Sequence, residues 1–171
     1  GFYVLRNKGR SDGKVPPSGG FRGASFAFIR CGKHKDRPSQ ADNLHLDIWV
    51  NGKNILRDAG SFKYNTAPED IKYFMGTISH NTVMLGNYDQ MEKGRHFIWY
   101  YWSQAVEANL SEDDEWLIFK GKIHAFKHVK PNIFHTRIVK QHKKQLIWEI
   151  EDVIENGKWE MGNGKLNSFS L

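Results

Sequence analysis

Residues 44–50, Leu-His-Leu-Asp-Ile-Trp-Val, are apolar at every second position and run straight into Asn51-Gly52. Trp49 is the one large ring among the intervening polar positions. Alternation with a period of two is the pattern of a strand that buries one face. Asn-Gly tolerates positive φ at two successive positions, as a type I′ hairpin turn requires. The return run, Asn54-Ile55-Leu56-Arg57-Asp58, closes at Ala59-Gly60. A chain containing this segment has to build an antiparallel sheet around it.

A two-residue loop sets a register. Val50 pairs with Lys53, Ile48 faces Ile55, Asp47 faces Leu56 and His45 faces Asp58. Opposed residues share a face. One face then carries Leu44, Leu46, Ile48, Val50 and Ile55, a core. The other carries Asn43, His45, Asp47, Trp49 and Asp58, with Leu56 as its aliphatic member. Such a face can coordinate a cation, orient a catalytic group or bind sugar through the Trp49 ring. A His–Asp pair that only supports the sheet reads equally well from these residues. The register holds only if neither strand contains a bulge.

Further strands are expected over 25–31, 81–85, 96–102, 104–109, 115–123, 134–140 and 145–154, and Asn156-Gly157 signals another hairpin whose return begins at Lys158. The single helix candidate is short, Glu69 to Phe74. Many short strands divided by turn residues predict an all-β fold, an antiparallel β-sandwich forming one domain over residues 1–171. Residues 161–171, rich in Gly, Asn and Ser, read as a tail without fixed structure.

Composition narrows the partners. Lys and Arg number 25 against 19 Asp and Glu, a net charge of +6 that favours acidic partners. No nucleic-acid partner is expected, because the basic residues are dispersed and no RNA- or DNA-binding motif is present. No membrane is expected either, since no apolar run approaches the roughly 20 residues of a spanning helix. Cys31 is the only cysteine, so no disulfide holds the fold. Trp99-Tyr100-Tyr101-Trp102 is either a sugar platform or a strand with alternate rings buried. His80, ahead of the apolar run Val83-Met84-Leu85, has the ring chemistry of a metal ligand or an acid–base group.

Residues 37–65, RPSQADNLHLDIWVNGKNILRDAGSFKYN, and 74–91, FMGTISHNTVMLGNYDQM, together resemble the heparinase II/III-like family. Residues 1–6 fit the strand that opens that family's sandwich, and residues 135–157 resemble its next hairpin. These are polysaccharide lyases with an N-terminal (α/α) toroid and a C-terminal antiparallel β-sandwich. The resemblance implies β-elimination on acidic, uronate-containing glycans. A base removes the weakly acidic proton next to the uronate carboxylate while the site stabilises the developing enolate. It also implies a partner toroid, outside these residues, that supplies a Tyr and an Asn or His.

The family's sandwich supplies a His and, in several members, a structural zinc site. That site uses a His-Gly-His stretch before Ala-Asp, the Asp of the return strand and the His of His-Asn-Thr. Asp58 and His80 match. The two earlier histidines fall on Pro38 and Gln40, and an amide is a poor zinc ligand beside imidazole. The expected metal set is therefore Asp58, His80 and Gln40, with zinc as a structural ion. His45 and Tyr64 are the catalytic candidates, with His34 near them. Arg37, Asn43 and Trp49 are the substrate-binding candidates. The chain by itself is expected to be inactive as a lyase. The alternative is a non-catalytic carbohydrate-binding module of the same fold. The source reads as bacterial, and the sequence does not choose between periplasm and cytoplasm.

Overall fold

A computed structural model describes residues 1–6, 25–63 and 65–157. The Gly-rich stretch Ser18–Gly23, Tyr64, the return after Asn156-Gly157 and the tail 161–171 lie outside the described residues. Two four-stranded antiparallel sheets form the body. The first has the order β1 (Phe2–Arg6), β2 (Ser25–Arg30), β3 (Leu46–Val50), β4 (Lys53–Leu56). Along the chain, α1 (Pro68–Met75) and a small ribbon of β5 (Glu92–Lys93) and β6 (Trp99–Tyr100) come after the first sheet and before the second. The second sheet has β7 (Gln104–Glu112), β8 (Trp116–His124), β9 (Ile133–His142) and β10 (Trp148–Asn156) joined in sequence order.

The sheets pack face to face. Leu5, Ala27, Ile29, Leu46 and Ile48 of the first share one core with Phe119, Ile123, Ile133 and Val139 of the second. Tyr3 meets Phe119 across the layers, ring centroids 5.0 Å apart. Each large side chain so buried contributes about 1.5–3 kcal/mol. Gln141 adds a buried polar link, donating from Nε2 to the Ser25 carbonyl at 3.2 Å. The sandwich expected from the turn and strand pattern is the fold observed.

The hairpin turn is as the dipeptide dictates: Asn51 and Gly52 have φ of 51° and 78°, and Val50 pairs with Lys53. Trp49 against Asn54 keeps the expected register, and beyond that pair it fails. A bulge between Trp49 and Ile48 sets Ile48 against Leu56 rather than Ile55. The extra residue turns Ile55 outward, 58% exposed, while Leu56 packs on the core in its place. Ile55 is therefore no core residue.

Two other expected strands are corrected. Residues 81–85 form no strand; only Leu85 makes an isolated bridge, to Tyr88. Asn81 and Thr82 spend their polar groups on residues 43–46 instead. The run 96–102 shrinks to Trp99–Tyr100, because His96 and Tyr101 take φ of 51° and 55° and break the extended backbone on both sides. Trp99 is a core ring, 2% exposed, in a second small cluster with Ala41 and Met91. Its indole N–H donates to the Ser39 carbonyl at 3.3 Å, tying down the loop that carries Gln40.

Candidate functional site

At the mouth of β3 the chain turns sharply, with Leu44 at φ 61° and Asn43, Leu44 and His45 all buried. The segment His80-Asn81-Thr82 lies against this turn, and each of its residues has a separate task. The Asn81 backbone N–H donates to His45 Nδ1 at 3.0 Å, and its side-chain amide donates to the Leu46 carbonyl at 3.0 Å. Thr82 donates from Oγ1 to the Asn43 carbonyl at 2.9 Å. His80 donates from Nδ1 to Asp58 Oδ2 at 2.6 Å. The His45 and His80 rings meet edge to face, centroids 5.6 Å apart.

His45, Asp58 and His80 thus come together, although Asp58 lies beyond the end of β4 rather than opposite His45 in a ladder. His45 Nε2 lies 3.5 Å from Asp58 Oδ2 and 3.6 Å from Asp47 Oδ1. Asp47 in turn accepts the Asp58 backbone N–H at 3.1 Å, and Asp58 accepts that of Gly60 at 2.5 Å. The two histidine side chains are only 5% and 0% exposed, against 31% for Asp58, so the carboxylate is the part of the cluster that faces outward. Burial pushes the His45 pKa below the ordinary imidazole range, against the pull of Asp47 and Asp58.

Asp58 opens onto a groove of about 510 Å³ between the hairpin end and α1. Phe62, Phe74 and Phe97 line it together with Ser39, Gln40 and Lys63. Phe62 stacks on Phe74 at 5.3 Å. Two cations stand over the aromatic lining: Lys63 lies 5.3 Å from the Phe62 ring centre and Arg37 lies 5.8 Å from that of Phe97. Pro68 at the first turn of α1, with its φ preset for a helix, starts the helix that presents Ile71, Phe74 and Met75 to the groove.

The other expected site residues are distributed as follows. Gln40 lines the groove, and its amide donates to the Phe74 carbonyl at 3.2 Å, so that group fixes α1 to the loop. Asn43 is fully buried and spans Gly32, accepting from its N–H at 2.9 Å and donating to its carbonyl at 3.2 Å. Its amide also donates to Ser103 Oγ at 2.9 Å, which leaves it no face for a ligand. Trp49 stacks on Phe26 at 5.9 Å on the outer side of the first sheet and is not among the groove's lining residues. His34 sits beside Asn43, its Nε2 3.5 Å from the amide nitrogen. Tyr64 lies outside the described residues.

The sequence reading missed Gln90 and Arg137, whereas Asp47 was already on the polar face of the hairpin. Gln90 is fully buried, accepts the Asn43 N–H at 3.0 Å and donates to the Asn43 carbonyl at 2.7 Å. Its position in Asp89-Gln90-Met91, within the second resembling block, was the available signal. Arg137 gave a subtler one, a charged residue at an inward position of an alternating strand.

The zinc site that the resemblance implies would have to be built from this cluster. Its ligand-type atoms lie within 4.8 Å of one another. A zinc-bound imidazole turns a lone pair to the ion and donates its other N–H outward. His80 can do so: Nδ1–H is on Asp58 and Nε2 is buried without a partner among the described residues. His45 has the reverse arrangement. Its Nδ1 lone pair accepts the Asn81 N–H, so the proton of the neutral ring sits on Nε2, facing the two carboxylates. As hydrogen-bonded, the set lacks the donors of a tetrahedral zinc site and does not fit one.

Comparison with known proteins agrees with the architecture. Over 90 residues the chain is 32% identical to a heparin-sulfate lyase of Bacteroides stercoris, covering 51% of this chain and 12% of that protein. A solved heparinase III superposes with a TM-score of 0.66 at 24% identity, covering 92% of this chain and 21% of the other. The heparan sulfate lyase HepC from Pedobacter heparinus does so with a TM-score of 0.60 at 19% identity, covering 79% and 19%. At these identities the two structures speak for the fold. The chain spans only 12% to 21% of the length of these relatives. The model of the heparinase II/III-like C-terminal domain matches residues 1–160, and the chain belongs to that family.

Proposed function

We propose that this chain is the sandwich part of a lyase that cleaves acidic, uronate-containing polysaccharide by β-elimination, and that it contributes glycan binding rather than the reacting groups. The observation that carries this reading is the groove beside Asp58. Its phenylalanine faces suit the C–H patches of a sugar ring, and Arg37 and Lys63 suit a carboxylate or sulfate. Asp58 would repel a uronate carboxylate but accepts a hydrogen bond well from a sugar hydroxyl. The sugar's acidic group therefore points towards the cations and a hydroxyl towards Asp58.

His45 and His80 are buried behind Asp58, so neither reaches a substrate carbon; His80 orients the carboxylate through its 2.6 Å hydrogen bond, and the His45 ring packs beside it. The proton-abstracting group then comes from the helical toroid that the family pairs with this sandwich. The cluster acts without zinc in this proposal, by the hydrogen bonds described above. Zinc near one equivalent in the purified chain, lost on His80→Ala, would refute that part.

The principal test is binding of heparan-type oligosaccharides by calorimetry, with neutral oligosaccharides for comparison. Arg37→Ala and Lys63→Ala should each weaken acidic-glycan binding several-fold without lowering stability. The chain alone should generate no unsaturated product. Equal affinity for neutral and acidic sugars, or cleavage by the chain alone, would overturn the reading. Burial of both histidines also favours a second reading, a carbohydrate-binding module without chemistry. Adding the toroid separates the two: activity restored by the complete protein supports the lyase.

A further inference from the structure

The inward face of β9 reads Ile133, His135, Arg137, Val139 and Gln141, so three polar side chains stand in the sandwich interior. Arg137 is 6% exposed. Its Nε and Nη2 each donate to one oxygen of Asp152 at 2.7 Å, across the β9–β10 register in which these two residues are partners. His135 donates from Nε2 to Asp152 Oδ1 at 2.6 Å. That pairing leaves Nη1 aimed at the other sheet. There it donates to the Leu44 carbonyl and to the Asn81 carbonyl, both at 2.6 Å.

Those two carbonyls belong to the two segments that carry the site. Leu44 precedes His45, and Asn81 follows His80 and supplies the N–H on His45 Nδ1. The same Asn81 carbonyl also accepts the Leu46 N–H at 3.3 Å. One nitrogen of one guanidinium therefore fixes the spacing of the loops that present both imidazoles. The row is completed on β8, where Gly121 is the register partner of Arg137. A Cβ there would lie 2.8 Å from Leu44 Cδ2 and 2.7 Å from Phe119 Cζ. Gly121 leaves the space that Leu44 fills, and Arg137 holds the Leu44 carbonyl above it.

We propose that Arg137, oriented by Asp152 and His135, is the positioning residue of the His45–Asp58–His80 cluster. It acts across the sandwich by clamping the Leu44 and Asn81 carbonyls together. This rests on the reading of that cluster as the working end of the domain, and it names the device that assembles it. Arg suits the task because its planar fork binds a carboxylate on one side and still presents a donor nitrogen on the other. A lysine ammonium is a single point and cannot span both.

The test is long-range proton–nitrogen correlation spectra of the histidine rings in the chain, at a fixed pH of about 8, above the ordinary imidazole range. In the unaltered chain His45 should show one tautomer, protonated on Nε2. In Arg137→Lys and in Asp152→Asn the two His45 nitrogens should move towards averaged shifts as the Asn81 N–H releases Nδ1. Val139→Ala, a cavity in the same strand, serves as the stability control and should leave the His45 pattern unchanged. Gly121→Ala, which pushes on Leu44 without touching any charge, should disturb His45 as Arg137→Lys does and keeps the test open if that variant does not fold. An unaltered His45 pattern in a folded Arg137→Lys chain overturns the proposal, as does an equal change in Val139→Ala. Because the readout is ring geometry, it stands or falls independently of whether the groove binds glycan.

Discussion

Replacing Asp152 by Asn tests how much the buried Arg137–Asp152–His135 group contributes to the fold. Burial alone would raise the Asp152 carboxyl, but hydrogen bonds from His135 and Arg137 outweigh it and hold the pKa at about 2, from an ordinary 3.8. At roughly 1.4 kcal/mol per pKa unit the ion pair is linked to about 2.5 kcal/mol of stability. Asp152 is 25% exposed, and solvent screening brings that to about 2 kcal/mol. The Asn variant also turns an N–H₂ towards the donors of Arg137 or His135 and strands a guanidinium that is 6% exposed. Breaking one side of a buried pair costs about 3–5 kcal/mol at the upper end. The expected loss at neutral pH is therefore about 2–4 kcal/mol, read from urea unfolding. The sign of its pH dependence follows from the depressed folded pKa. The contribution is complete above about pH 5 and is lost as pH falls through the folded value of about 2, so about half remains near pH 3. A loss below about 1 kcal/mol, or one that is the same at pH 7 and pH 3, would refute the reasoning.

The bulged register makes a paired prediction: Ile55→Ser should change stability by less than about 0.5 kcal/mol, whereas Leu56→Ser should cost about 1–3 kcal/mol in the same unfolding assay. Trp99→Ala should cost about 3–5 kcal/mol, measured by thermal or urea unfolding, because the ring fills the small cluster under the Ser39–Ala41 loop. Burial lowers the His135 pKa from 6.5, against the pull of its Asp152 hydrogen bond. The unfolded chain therefore takes up the proton first, and stability should fall as pH drops below about 6.5. That acid slope should be shallower in His135→Gln, and an unchanged slope would refute the assignment.

Short-range chemistry was legible from the residues alone. The alternation of residues 44–50 made β3, Asn51-Gly52 made the turn, and the short helix expected over Glu69 to Phe74 is α1, one residue longer at each end, because each depends on neighbours along the chain. The resembling blocks marked Asp58 and His80, and these do lie together. What failed in the reading depended on residues far apart in sequence. A bulge has no signature in the strand that carries it, so Ile55 and Leu56 exchanged sides. Residues 81–85 look like a strand because Val83, Met84 and Leu85 are apolar, yet the polar groups of Asn81 and Thr82 are claimed by a turn some forty positions earlier. The His45 tautomer is set by an N–H from residue 81, and the spacing of the site loops by a guanidinium from residue 137. A sequence states which groups can donate and accept. Which donor meets which acceptor is decided only when the two sheets close and each buried polar group must find its partner there.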